Sequence, residues 1–215
     1  MDVRFFLEQR TAFIRHYFDE ATAPFLETIR KINAEEAPFE PPYFDPDTMD
    51  GEPAFLQEWL QAQTGLEVVG QTCVSMLSES LKVFFRTLER NSGLDCEAEC
   101  GAKAFKKGFI GGYRTCFAKH GVDWTNCPVD FAVLEQVVLA RNASQHVNHI
   151  TDTRASHSTG VINKYPSPLF ISDHEKTLMQ NGAGGLLIDP TIHVTRLDLH
   201  LAIGEVEKLA VWLEQ

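Results

Sequence analysis

The sequence predicts an all-α fold in one domain, and three observations support this prediction. Long stretches place apolar residues three and four positions apart, which is the spacing of one face of an α-helix. The 215 residues are enough to bury a sizeable core. Proline-dense or glycine-rich sequence interrupts this spacing in two segments. The predicted organisation is one domain over residues 1–215, with an N-terminal helical elaboration (1–36), a proline-rich acidic loop (37–52), bundle helices ending in a polar motif (53–150), a loop or β-hairpin (151–194) and a C-terminal helix (195–215).

The N-terminal elaboration is predicted to be one amphipathic helix from about residue 3 to residue 32. Pro24 predicts a kink or a break in it, because proline cannot donate the backbone hydrogen bond of a helix interior. The loop that follows is dense in proline and is predicted to be extended. The apolar face of the helix consists of Phe5, Phe6, Phe13, Ile14, Tyr17, Phe18, Phe25, Leu26, Ile29 and Ile32.

The predicted bundle begins with a helical region from about Pro53 to Arg90. Gly65 and Gly70 predict that this region is divided into two helices. Asn91-Ser92-Gly93 is typical of a C-terminal stop. Asp95 is then predicted to cap a third helix that reaches about Lys119.

The fourth predicted helix opens near Pro128 or Asp130 and ends in a polar cluster after an apolar run. Buried polar groups must be hydrogen-bonded, so such a cluster is costly unless it has partners. At about 100° per residue, five of its side chains share an arc roughly 140° wide. We therefore identify this arc as a candidate site, made of Arg141, Asn142, Gln145, His146 and His149.

The segment 151–194 is predicted to form a hairpin or an irregular arm. Its apolar runs Leu169-Phe170-Ile171 and Leu186-Leu187-Ile188 resemble two short strands. Thr195-Arg196-Leu197-Asp198 resembles a capping box with Asp in the usual Glu or Gln position. It therefore predicts the start of the C-terminal helix.

Charge and composition restrict the partners of the protein. A net charge of −11 excludes a general nucleic-acid coat, because phosphate neutralisation supplies most of that affinity. Basic residues gather between Lys103 and Lys119, so a local basic cleft is compatible with the negative net charge. The chain lacks a run of 18 apolar residues, which predicts no membrane span, and its N-terminus becomes charged too early for a signal peptide. Five cysteines without regular disulfide spacing predict reduced thiols in a cytoplasmic protein.

The polar cluster resembles the motif of the HEPN superfamily. That motif is an Arg, four to six residues and a His, with a polar residue directly after the Arg; Arg141, Asn142 and His146 match these three positions. The apolar helix before the motif and the irregular segment and last helix after it also resemble the family's layout. The resemblance covers roughly residues 53 to 215 and implies a HEPN-like bundle.

The resemblance further implies a metal-independent endoribonuclease, often a toxin or a phage-defence effector, with no cofactor and no metal. Two copies of such a domain commonly form a homodimer with a composite cleft for RNA, and a protein antitoxin or regulator is an implied partner. His146 would then transfer protons, Arg141 would clamp phosphate and Asn142 would orient the ribose, the phosphate or the His ring. One departure is Asn148, since the family members modified by a nucleotidyltransferase carry Tyr there.

Other readings of the same residues stay open. Arg and His at a helix end can simply bond the last carbonyls and interact with the helix dipole. A catalytically silent HEPN domain that binds a nucleotide or a protein is the main alternative, and a regulatory dimer is another. The candidate substrate-binding residues are Gln145, His149, Tyr113 and Arg114. Tyr113 and Arg114 are included because basic and aromatic residues together bind single-stranded nucleic acid. The competing interpretation of the region around Tyr113 is a close helix contact that its glycines permit.

Three weaker patterns are also present. Cys96 and Cys100, four apart, resemble half of a zinc site that His120 and Cys127 would complete, although the loop geometry is not that of a zinc finger. The run Asn181–Gly185 favours a turn over a phosphate loop, because the Lys and Ser/Thr of such loops are missing. His157-Ser158 and Asp173-His174 lack the elbow sequence of a serine hydrolase.

Overall fold

The computed structural model describes residues 2–41, 53–106, 108–145, 154–180 and 190–214. These residues form α-helices, which confirms the predicted all-α class, and their β pairing is limited to one antiparallel bridge between Ser156 and Thr191. Among them, no helix combines the length and the apolar character needed to cross a membrane. The helices are α1 (Val3–Asn33), α2 (Leu56–Asn91), α3 (Cys96–Cys100), α4 (Ala102–Phe105), α5 (Phe109–Lys119), α6 (Phe131–Gln145), α7 (Thr159–Lys164), α8 (Asp173–Gln180) and α9 (Arg196–Leu213), with a 3₁₀ turn at Trp124–Asn126.

The core lies between four helices, α1, α2, α6 and α9. α1 packs along α2, and α6 and α9 complete the bundle against them. Each fully buried aliphatic side chain contributes about 1.5–3 kcal/mol relative to an exposed one, so this apolar centre provides most of the stability. Its largest fully buried side chains include Ile14, Leu77, Leu81, Phe84, Phe85, Leu134, Leu199, Ile203 and Leu209.

The two long helices are continuous through Pro24, Gly65 and Gly70, so α1 is not split at Pro24 and the division predicted in α2 is wrong. Pro24 lies on the exposed side of α1, where a missing N–H is tolerated. Gly65 and Gly70 serve close packing instead of breaking α2. A Cβ at Gly65 would lie 2.5 Å from the Phe25 ring, and one at Gly70 would lie 2.7 Å from Val194.

The predicted third helix is instead three short ones, α3, α4 and α5. Gly101 and Gly108 adopt φ angles of +70° and +98°, which end a helix and favour glycine. Asp95 is the predicted N-cap, because its side chain accepts a hydrogen bond from Ala98 N at 3.0 Å. Gly112 permits the close helix contact that the sequence suggested, since a Cβ there would lie 2.3 Å from the Phe105 ring.

The predicted hairpin is not present in the described part of residues 151–194. Phe170 and Ile171 are fully buried in a segment without strand structure, and α7 and α8 flank it. Gln136 of α6 holds this segment, because its Oε1 accepts a hydrogen bond from Leu169 N at 2.7 Å. The second predicted strand, Leu186–Ile188, lies outside the described residues.

The last helix begins as predicted. Thr195 caps α9, and its Oγ1 accepts a hydrogen bond from Asp198 N at 3.1 Å. The carboxylate of Asp198 accepts a hydrogen bond from the Thr195 hydroxyl at 2.7 Å. Asp198 therefore accepts from the Thr195 hydroxyl, whereas in a full capping box it would accept from the Thr195 backbone N–H.

The cysteines differ from the prediction that all five are reduced. Cys96 and Cys116 form a disulfide that joins α3 to α5, while Cys73, Cys100 and Cys127 are free. The two bonded residues are separated by 20 positions and come together because Gly101 and Gly108 fold the chain back on itself. Such a pairing depends on tertiary contact, so the spacing of the cysteines along the sequence could not predict it.

His157 is a buried titratable residue just before α7, and it is hydrogen-bonded to Pro190. Its backbone N–H donates to Pro190 O at 2.8 Å, and its ring Nε2 lies 2.9 Å from Phe170 O. Because a carbonyl only accepts, Nε2 carries the proton of the neutral ring, and the buried Nδ1 has no partner among the described residues. Burial lowers the pKa of His157 below its usual value, so the folded protein holds this ring neutral.

We expect His157 to make the fold less stable as the pH falls below about 6.5, the pKa of an unfolded histidine. Below that pH the unfolded chain binds a proton that the folded chain resists, so each pH unit costs up to about 1.4 kcal/mol until the folded pKa is reached. Urea unfolding at pH values between about 5 and 7 measures this dependence. The His157→Gln variant should weaken this dependence, with His200, whose pKa burial also lowers, supplying part of the remainder, and the exposed His174→Gln variant should keep the wild-type dependence. Equal pH dependence in wild type and His157→Gln would contradict the assignment.

Candidate functional site

The candidate site is at the C-terminal end of α6, a helix anchored at both its start and its core face. Asp130 N donates to the buried Glu205 carboxylate at 2.8 Å, and Ala132 N donates to Asp130 Oδ1 at 2.8 Å. Leu134, Val137 and Ala140 are fully buried. These anchors fix where the last turn of α6 emerges at the surface of the bundle.

Arg141 and Asn142 lie together in that last turn. Arg141 Nη1 donates to Asn142 Oδ1 at 3.1 Å, so the amide orients the guanidinium. Arg141 is 24% exposed, and its buried Nε has no hydrogen-bond partner among the described residues. The structure therefore brings two of the three predicted motif residues into direct contact.

Glu79 of α2 is a second partner of Arg141. Arg141 Nη2 donates to Glu79 Oε1 at 3.2 Å, and Lys82 Nζ lies 3.7 Å from the same oxygen. Glu79 is 45% exposed, so water weakens this pair. Two cations on one carboxylate leave a net positive charge at this point of an acidic protein, and an incoming phosphate would meet both.

The other predicted residues of the arc are described only in part. Gln145 is exposed at the last position of α6. His146 and His149 lie outside the described residues, so their predicted roles stay predictions. The chain order alone places His146 directly after the helix end that carries Arg141 and Asn142.

Tyr113 and Arg114 lie on α5, near the opposite end of α6. Tyr113 is buried, stacks on Phe85 at 5.0 Å and donates its hydroxyl to Glu89 at 2.8 Å; burial and this bond raise its pKa to about 12. The guanidinium of Arg114 lies 3.8 Å from the ring centre of Phe131, the first residue of α6. Ten residues of helix, about 15 Å, separate Phe131 from Arg141. Arg114 and Arg141 can therefore contact one substrate only if it extends along α6.

Metal-binding chemistry is found at a different place. The ligand atoms of Glu99, Cys116 and His120 lie within 4.8 Å of one another, between α3 and α5. His120 Nε2 is 2.5 Å from Glu99 Oε2, and this contact lowers the pKa of the Glu99 carboxyl. The sequence had indicated His120 as a ligand, but it paired that residue with Cys127 and did not indicate Cys116 or Glu99.

Sequence reasoning also missed Glu79 and Lys82. They precede Arg141 by about sixty positions, and their i, i+3 spacing on α2 is that of an ordinary exposed ion pair. Comparisons of the chain with protein-family models, with curated proteins and with solved structures found no match.

Proposed function

We propose that this chain is a metal-independent endoribonuclease of HEPN type, acting at the end of α6. The observation that supports the proposal is the contact between the partly exposed Arg141 guanidinium and the Asn142 amide in the last turn of α6. A planar, always charged fork of donors suits the oxygens of a phosphodiester. RNA cleavage needs such a clamp as the phosphate passes through a more highly charged transition state.

The three motif residues divide the reaction between them. The ribose 2′-hydroxyl attacks the adjacent phosphorus, the bond to the 5′-oxygen breaks, and a 2′,3′-cyclic phosphate remains. His146 moves the proton in this step, since an imidazole titrates near neutral pH. Arg141 binds the phosphate and Asn142 holds the guanidinium. The incoming phosphate must replace Glu79 as the partner of Arg141, and Lys82 adds a second positive charge beside that phosphate.

The wider proposal follows the HEPN resemblance. The chain would act in the cytoplasm as a homodimer with a composite cleft, as a toxin or defence effector that a protein antitoxin or regulator restrains. Gln145 and His149 would contact RNA beside the motif. Tyr113 and Arg114 would do so only for an RNA that reaches the other end of α6.

RNA cleavage by the purified full chain in excess EDTA tests the proposal. We expect wild type to cleave tRNA or a structured mRNA, and Arg141→Ala and His146→Ala each to lose activity by about 100-fold or more. Arg196→Ala is the matched control, because Arg196 is exposed and paired with Asp19 on another surface. This control should cleave like wild type.

The ends of the products provide a second measurement. Attack by the 2′-hydroxyl leaves 2′,3′-cyclic phosphate ends, whereas attack by water leaves simple monophosphates. Equal activity in wild type and both motif variants would show a contaminating nuclease. EDTA-sensitive cleavage, or products without cyclic phosphates, would overturn the proposed chemistry.

A second candidate is a silent domain that binds RNA or a nucleotide without cleaving it. The ion pair between Arg141 and Glu79 favours it, because a guanidinium already held by a carboxylate can exchange that partner for phosphate without any reaction. A 2′-O-methyl RNA, which cannot be cleaved by this route, measures binding alone. Removing the competitor with Glu79→Gln should tighten binding several-fold, while Arg141→Ala should weaken it. Unchanged binding in both variants would indicate that Arg141 serves only the fold.

A further inference from the structure

Two short helices bring three metal-binding side chains together, and a disulfide adds a fourth, Cys96. Cys96 and Glu99 lie on α3, and Cys116 and His120 lie on α5 and at its C-terminal cap. Spacings of three and four residues place each pair on one face of its helix. α3 packs against α5, and the disulfide between Cys96 and Cys116 holds the two faces together.

The cluster has a buried floor and an accessible rim. Cys96 and Cys116 are fully buried. His120 and Glu99 are 38% and 37% exposed, and they contact each other above the sulfurs. The ligand atoms of Glu99, Cys116 and His120 already lie within 4.8 Å of one another. The partly exposed Glu99 and His120 therefore offer ligand atoms to solvent beside the buried Cys116 sulfur.

We propose that reduction of the Cys96–Cys116 disulfide converts this cluster into a zinc site, with Cys96, Cys116, His120 and Glu99 as the four ligands. Two thiolates, one imidazole and one carboxylate are ligand types that zinc binds in tetrahedral sites. The site lies between α3 and α5, away from Arg141, and it is independent of the proposed RNA cleavage.

The disulfide and the zinc complex exclude each other, because a sulfur in a disulfide is no longer a thiolate. A dithiol reductant transfers two electrons and two protons to the disulfide, giving two thiols, and leaves as its own cyclic disulfide. Binding of Zn²⁺ to these thiols then releases the two protons. An oxidant that remakes the disulfide takes two electrons and expels the ion.

The charges of the surroundings suit a divalent cation. Two thiolates and the Glu99 carboxylate supply three negative charges against the two positive charges of zinc. Lys119 Nζ donates to the backbone carbonyl of Glu99 at 3.0 Å and offsets part of the remaining charge. Asp95 N lies 3.4 Å from Glu99 Oε1, so the carboxylate that faces His120 has a partner on its other oxygen.

Titration of the reduced full chain with Co²⁺, in the absence of oxygen and chelator, tests the proposal. Cobalt substitutes for zinc and shows a thiolate-to-metal absorption band when sulfur binds it. We expect one Co²⁺ per chain in the reduced protein, displacement by added Zn²⁺, and no such band in the disulfide form. His120→Ala should weaken binding by about 100-fold or more, at least the loss typical of a group that only supports a ligand.

Two variants separate ligation from folding. Cys116→Ala removes one of the two proposed thiolate ligands and should weaken both Co²⁺ binding and the thiolate band, whereas Cys127→Ala removes a free cysteine at the 3₁₀ turn and should leave both unchanged. His120 is partly exposed, so His120→Ala tests the site without opening the core. Full-strength Co²⁺ binding in Cys116→Ala or in His120→Ala, or no binding by reduced wild type, would overturn the proposal.

Discussion

Replacement of Phe85 by Ala is expected to lower the free energy of unfolding by about 3–5 kcal/mol, the range typical of a buried Phe truncated to Ala. Phe85 is fully buried on α2 and stacks on Tyr113 of α5, with ring centres 5.0 Å apart and an interplanar angle of 2°. It also contacts Phe84, Phe109 and Phe117. The truncation would therefore leave a cavity where α5 joins the bundle.

Urea unfolding followed by circular dichroism measures this effect. Phe13→Ala is the matched control, because Phe13 is 55% exposed on α1 and the chemical change is the same. Surface substitutions of this kind usually change stability by about 0.5 kcal/mol or less. Comparable losses in the two variants would mean that the aromatic cluster around Phe85 does not carry the packing of α5.

The helices were predictable where a local signal agrees with the packing. Apolar spacing of three and four residues predicted α1, α2, α6 and α9, and Asp95 and Thr195 predicted two of the helix starts. The breaks predicted in α2 were wrong because a glycine weakens a helix only locally. At Gly65 the gain from close contact with Phe25 outweighs that cost, and this contact is not visible in the sequence.

The strand prediction at Leu169–Ile171 was wrong for a similar reason. Apolar β-branched and aromatic residues are typical of strands, but they are also typical of any buried segment. Here Phe170 and Ile171 fill the core beside α6, and Gln136 satisfies the backbone N–H of Leu169 in place of a neighbouring strand. A side chain thus supplies the hydrogen bond that the sequence had assigned to a hairpin.

The candidate site was predictable only as far as it is local. Arg141 and Asn142 are adjacent in sequence, and the apolar run before them indicated the end of a buried helix. Glu79 reaches Arg141 from another helix, and Cys116 reaches Cys96 across two glycine breaks. Local spacing instead predicted a pair made of Cys96 and Cys100. In the structure Cys96 is bonded to Cys116, and Cys100 is a free thiol.

The second large effect is expected from the disulfide. Replacing both partners, Cys96→Ala and Cys116→Ala, should lower the free energy of unfolding by about 3 kcal/mol, because the bond closes a loop of about 20 residues and so restricts the unfolded chain. Alanine avoids the additional cost of burying a serine hydroxyl without a partner. Urea unfolding in EDTA measures the loss, and wild type reduced by a dithiol in EDTA should show a loss of similar size.

The double variant Cys100→Ala and Cys127→Ala is the control, since it also removes two thiols but leaves the disulfide intact. It should stay within about 1 kcal/mol of wild type, as expected for small changes at half-buried positions. An equal loss in both double variants would attribute the effect to the packing of the sulfurs rather than to the cross-link. Zinc then distinguishes the two states of the cluster. An ion that binds only the folded chain stabilises it, so added Zn²⁺ should restore stability to the reduced wild type and not to Cys96→Ala/Cys116→Ala.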